Sequence, residues 1–240
     1  MILDLDLGNS FLKWRCGAQR GRLAAGDLGA EQLAAAWQGL APSRVRLASV
    51  GADRRAAELA EAVRARWQLP LEIAVSSAHC GALVNSYQDP ARMGVDRWLA
   101  MLAAFERGPG GCCVVDCGSA ITIDYVHADG RHLGGYILPG LGLMRASLLG
   151  NTQRVRVGAE VLADTSPGCS TDTAVLHGQQ LLLAALAQRV VDDLGRLLGD
   201  DARLWITGGD GANFHRHAGA GTLAPDLVLD GLAIALPEVG

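Results

Sequence analysis

"CCVVDCGSAITIDYV", residues 112–126, decides how this chain is read. An apolar run breaks at Asp116, Cys117, Gly118 and Ser119 and then resumes with alternating apolar residues. The pattern predicts strands at 112–117 and 120–127, with a carboxylate at the mouth of a glycine turn. "MILDLDLGNSFLKWRC", residues 1–16, does nearly the same: strands at 2–7 and 11–16 flank Asp6, Leu7, Gly8, Asn9 and Ser10.

The two stretches head two similar halves. After the first, the pattern predicts a strand at 20–25, a helix at 29–40, a strand at 44–50 and a helix at 53–67. A strand at 71–75 and a helix at 93–107 follow, the latter marked by the spacing of Trp98, Leu102 and Phe105. "RGPGG", 107–111, breaks the chain. After it come strands at 112–117, 120–127 and 131–138, a short helix after "PGLG", and a polar connection over 151–170. A long helix at 173–198, the strand "RLWIT" at 203–207, a glycine turn and closing elements to 237 complete the second half. We expect a duplicated α/β architecture, domains 1–108 and 109–240, with a cleft where the halves meet.

Half of the 240 residues are hydrophobic, enough for a sizeable core, and the net charge is −4. That charge offers no general attraction to nucleic acid or to acidic membranes. Arg54 and Arg55, and "RVR" at 154–156, read as solvated faces. No apolar run reaches the ~20 residues of a membrane span, and residues 1–5 lack a basic leader. A cytoplasmic, soluble protein is expected. Cys112, Cys113 and Cys117 lie too close along one strand to be bridged, and zinc spacings are missing, so buried reduced thiols are expected. "HRH" at 215–217 reads as structural.

Glycine permits the sharp turn, and its exposed N–H groups, with the hydroxyl of Ser10 or Ser119, form a concave donor set suited to phosphate. A carboxylate beside phosphate is repulsive unless a divalent cation lies between them, and Mg²⁺ is commonly held by one or two carboxylates plus phosphate oxygens. Asp6 and Asp116 thus read as two sides of a metal–nucleotide clamp, or as hairpin turns in which Asp and Gly serve conformation alone. "TGGD", 207–210, offers Gly208 and Gly209 as an edge that a flat nucleoside ring can approach, or a plain strand-to-helix turn. In "NSYQDPARMGVDRW", 85–98, Asp96 falls in the first helical turn. It is either an acid favoured by the helix dipole, which lowers its pKa, or the base of a phosphoryl transfer. Arg97 would supply a planar cation for an acidic or carbonyl-rich substrate.

In order, "DLGNSFLK" (6–13), "NSY" (85–87), "GVDR" (94–97), "DCGSA" (116–120), "GGYILPG" (134–140) and "TGGD" (207–210) resemble the type III pantothenate kinases along the whole chain. The resemblance implies two ribonuclease-H-like domains of the actin/sugar-kinase type, α/β with mixed sheets and a cleft between them. It implies ATP- and Mg²⁺-dependent phosphorylation of pantothenate, the first step toward coenzyme A. Residues Asp6, Leu7, Gly8, Asn9, Ser10, Phe11, Leu12 and Lys13 would bind phosphate. Asp116 would hold a metal, a monovalent K⁺ or NH₄⁺, and Ser119 would contact ATP. Asp96 would be the general base, with Gly94, Val95, Arg97 and Tyr87 against pantothenate. Thr171, or Thr173 two residues on, would reach pantothenate from the neighbouring subunit of a homodimer. The second turn reads Gly-Ser-Ala where this family usually has Gly-Thr-Ala. The alternatives are another phosphotransferase of the superfamily, or a non-catalytic transcription accessory protein.

Overall fold

The computed structural model describes residues 1–50, 54–150 and 164–238. The first residue of the helix expected at 53–67, most of the 151–170 connection and the 154–156 basic run lie outside them. Two compact units are present: Met1–Arg107 with Asp226–Gly240, and Gly108–Pro225.

In the first unit β1 (Ile2–Leu7), β2 (Phe11–Cys16) and β3 (Gln19–Ala24) form an antiparallel meander. After α1 (Ala30–Ala36), β4 (Arg44–Ser49) pairs parallel with β1. Then α2 (Arg54–Trp67) leads to β5 (Leu71–Ile73), parallel with β4, giving the order β3-β2-β1-β4-β5. Period-two alternation in β1 sends Leu3, Leu5 and Leu7 into a core with Leu33 and Trp37 of the α1 segment and Leu59 and Val63 of α2. A hairpin of β6 (His79–Cys80) and β7 (Leu83–Val84) and a 3₁₀ turn at Pro90–Arg92 precede α3 (Val95–Glu106). That turn explains why α3 starts two residues after the expected position.

The second unit repeats the plan. β8 (Cys112–Cys117), β9 (Ala120–Val126) and β10 (His132–Pro139) form the meander. α4 (Leu141–Gly150) and the 28-residue α5 (Thr171–Leu198) come before β11 (Arg203–Thr207), which is parallel to β8. α6 (Gly211–Ala218) leads to β12 (Thr222–Leu223), parallel to β11. The order β10-β9-β8-β11-β12 matches the first sheet strand for strand. Cys113, Val115, Ile121 and Ile123 pack with Leu183, Ala187 and Val190 of α5 and Phe214 of α6. The side chain and backbone of Ser170 and Thr173 cap α5 reciprocally, which fixes its start before the expected residue 173.

The last helix, α7 (Leu227–Ala235), departs from the expected 109–240 division, because residues 226–240 belong to the first unit. It packs on α3, where a Cβ on Gly231 would overlap the Leu99 backbone, so the helices touch main chain to main chain. Ion pairs complete the attachment: Arg15 and Arg107 both reach Asp230, and Arg20 reaches Asp226 at 2.9 Å. Beneath them Asp4, 4% exposed, accepts from Arg46 at 2.7 Å and Arg15 at 3.3 Å.

All six cysteines are free thiols; Cys16, Cys112, Cys113 and Cys117 are buried as expected, whereas Cys80 is half-buried and Cys169 exposed. Burial pushes the Cys112 thiol up to about 12. Among the described residues no helix is long and apolar enough to cross a membrane. His215 and His217 contact the Gly221 carbonyl and the Gln180 side chain, in keeping with a structural role.

Candidate functional site

The two acidic turns are structural counterparts. In the first, Gly8 N–H donates to the Phe11 carbonyl at 3.0 Å, and Ala25, just past β3, donates to the Ser10 carbonyl at 2.9 Å. In the second, Gly118 N–H donates to the Ala120 carbonyl at 2.9 Å, and Gly140, just past β10, donates to the Ser119 carbonyl at 3.0 Å. Antiparallel register places Lys13 directly opposite Asp6, on one face of the sheet. A carboxylate and an ammonium thus flank an exposed Asn9–Ser10 tip. Leu7 and Leu12 are sealed in the core, so only their backbones remain for a ligand, and the exposed Phe11 ring carries the Arg22 guanidinium at 5.1 Å.

Around Asp116 the register sets Thr122 of β9 on one side and Thr207 of β11 on the other. Gly208, at φ +88°, leaves no room for a Cβ, which would overlap the Asp116 carboxylate and the Cys117 backbone. The Asp210 N–H donates to the Cys117 carbonyl at 2.9 Å, folding the "TGGD" turn over the β8–β9 turn. Burial, then Asp116, then Asp210 push the Cys117 thiol up, keeping it protonated beside this rim. Burial raises the Asp210 carboxyl as well, against the Arg145 guanidinium, which lowers it. A Cβ on Gly209 would meet open space, whereas one on Gly208 would not fit.

The set fits a hard cation: a carboxylate fixed between threonine registers, with carbonyl oxygens nearby, offers oxygen donors alone. Among the described residues no cluster of three or more His, Cys, Asp or Glu could hold a metal by itself. A cation at this turn would draw on the Asp116 carboxylate and on ligand oxygens.

The third part lies wholly in the first unit. Asp96 sits in the first turn of α3, and its Oδ1 accepts from the Arg97 N–H at 2.8 Å. Gly94 precedes it as N-cap, where a Cβ would meet Asp96 Oδ1 at 2.6 Å. Val95 is buried and serves packing. Arg97, 6% exposed, donates from Nη1 to the Tyr87 hydroxyl at 2.7 Å and stands 5.6 Å from that ring. The sequence pointed to Tyr87 and Arg97 separately; their union is a finding of the structure.

Thr171 and Thr173 are told apart by α5's cap. Thr173 is committed to the capping box, whereas exposed Thr171 lines a groove of ≈ 950 Å³ with Leu143, Met144, Leu148, Val175 and Leu182. Tyr136 of "GGYILPG" is 55% exposed, not packed in the core. Asp210, Gly140 and the register partners of Asp116 were not singled out as site residues. Only "TGGD" and "PGLG" carried a signal for them, as turns.

A family model described as type III pantothenate kinase matches residues 2–193. The chain is 40% identical to a type III pantothenate kinase from Ectopseudomonas mendocina (strain ymp), over 99% of both chains. A Campylobacter jejuni structure named for the Baf family of transcriptional activators superposes with TM-score 0.62 at 22% identity, over 95% of this chain and 94% of the other. A Sinorhizobium meliloti structure named as a 2-dehydro-3-deoxygalactonokinase gives TM-score 0.60 at 15% identity, over 100% and 98%. These two likenesses concern the fold.

Proposed function

This chain belongs to the type III pantothenate kinase family, and on that premise we propose that it transfers the γ-phosphoryl group of ATP to the primary hydroxyl of pantothenate, giving 4′-phosphopantothenate and ADP. The observation that carries the assignment of roles is the position of Asp96 in the first turn of α3, beside an Arg97 joined to Tyr87. Asp96 accepts the hydroxyl proton as the oxygen attacks phosphorus. Because the transition state is loose, orienting that oxygen matters more than basicity. Arg97 and Tyr87 bind pantothenate.

Residues 6–13 and Ser119 bind the phosphates, the first turn through backbone N–H groups, Ser10 and Lys13. Gly209 takes the nucleoside. Asp6 and Asp116 would hold the cations, Mg²⁺ with the phosphates and a monovalent K⁺ or NH₄⁺ at Asp116. When bound, these cations neutralise phosphate charge.

A homodimer is part of the same reading. Leu143 and Leu182, each more than half exposed, and Leu148 at 47% surround an apolar groove with Thr171 in its wall. Such a patch is what a second copy would cover. Thr171 would then serve the partner's pantothenate; a one-chain solution mass would remove this part.

The test of the activity is coupled ADP release with pantothenate, with and without K⁺. D96N should lower kcat by roughly 10²–10⁴ while the melting temperature stays near wild type. Near-normal turnover in D96N would take the base role from Asp96, and hexose-dependent release without pantothenate-dependent release would end the assignment.

A further inference from the structure

The "NSY" stretch gave Tyr87 a role and left Asn85 without one. Asn85 lies just past β7, on an arm that leaves β5 near residue 74 and rejoins the unit at α3. It is 8% exposed, and its side-chain amide and backbone N–H are both engaged. Its Oδ1 accepts from the Tyr87 N–H at 3.0 Å, an Asx turn. Its Nδ2 donates to the Ser77 carbonyl at 3.2 Å and its backbone N–H to the Ala78 carbonyl at 2.9 Å. Exchanging the amide's oxygen and nitrogen would set donor against donor and acceptor against acceptor, so the partners fix its orientation. The arm's outgoing strand is joined a second time to the returning one, where Ser76 Oγ donates to the Met93 carbonyl at 2.9 Å.

Resting on the pantothenate reading above, we propose that Asn85 is a positioning residue of the acceptor-substrate site. It pins the Tyr87 backbone, which keeps the phenol on Arg97 and thereby aims the guanidinium at the carbonyl-rich or acidic end of the substrate. The chain of contacts is short and continuous: Ser77 carbonyl, Asn85 amide, Tyr87 main chain, Tyr87 hydroxyl, Arg97. Arg97 is buried, so a shift of the Tyr87 hydroxyl would misdirect its guanidinium. None of these contacts involves residues 6–13, Ser119 or Gly209. The effect should therefore fall on the acceptor and spare the nucleotide.

Three variants separate positioning from mere support. N85A removes both amide contacts. N85D keeps the acceptor for Tyr87 N–H and gives up the donor to Ser77. Y87F keeps the ring and removes the acceptor for Arg97. N85A should raise KM for pantothenate roughly 10-fold or more, with KM for ATP within about two-fold of wild type. N85D should recover only part of that loss, because it restores the Tyr87 contact while setting its second oxygen against the Ser77 carbonyl. Because both act on one pathway, N85A combined with Y87F should add little to the larger single effect. A crystal structure of N85A should show the Tyr87 hydroxyl drawn away from Arg97. An unchanged KM for pantothenate in N85A would overturn the proposal, as would equal rises in both KM values with a lowered melting temperature, or an intact Tyr87–Arg97 contact in the variant. Absence of pantothenate-dependent turnover in the wild type would instead strike the activity, and the N85A structure would still decide the geometric claim.

Discussion

The turn after β1 and the turn after β8 occupy the same place in sheets of identical strand order, and the second has a glycine, Gly208, packed against its carboxylate. Ser10 and Ser119 each accept from the residue that follows the third strand, and there the likeness stops. In the first unit that residue is Ala25, whose methyl is accommodated. In the second it is Gly140, where a Cβ would overlap the carbonyls of Gly118 and Ser119. The matching glycines Gly8 and Gly118 have their nearest Cβ neighbours at an ordinary 3.5 and 3.4 Å, whereas Gly208, in the turn after β11, is jammed against Asp116. That contact holds the Asp116 carboxylate in place, as a cation site requires.

Substitutions at the two turns should separate them. The largest effect belongs to G208A. Positive φ and overlap together should cost roughly 2–3 kcal/mol, seen as a lower urea midpoint and lost turnover. A G208A protein with wild-type stability would show that Gly208 is not held against Asp116.

D210N should act in the opposite sense and more weakly. Burial raises the folded-state value of the Asp210 carboxyl above 3.8. The ionised form therefore weakens the fold at neutral pH, and this penalty fades as pH falls through the raised value toward 3.8. D210N should melt slightly above wild type at pH 7, with the gap closing in acid. A pH-independent gap would assign the difference to something other than ionisation.

The smallest effect is expected at Gly8, where a Cβ would find ordinary space. G8A should change the melting temperature by no more than a few degrees, about the helix- and turn-neutral range of ±0.5 kcal/mol. A loss as large as that of G208A would erase the distinction.

Both turns were legible in sequence because a period of two residues, interrupted by Asp and Gly, is a local signal. The start of α3 was nearly so, missed by two residues because Pro90–Arg92 make a separate 3₁₀ turn and the Met93 carbonyl is taken by Ser76. What could not be read is non-local. Nothing near Asp230 announces Arg15, 215 residues away, or that Gly231 must fit the Leu99 backbone, so the return of α7 to the first unit was invisible. β6, β7 and β12 are two residues each, too short for a period to show. Asn85 stands beside a serine in a polar stretch, and only coordinates reveal that its amide is fully engaged.

The central proposal is that Asp6 and Asp116 each contribute to ATP binding. It is tested most directly by the KM for ATP, at saturating pantothenate and Mg²⁺, in D6N and D116N measured side by side with wild type. Each substitution alone should raise that KM roughly 10-fold or more, with KM for pantothenate changed far less. A wild-type KM for ATP in either variant would contradict it.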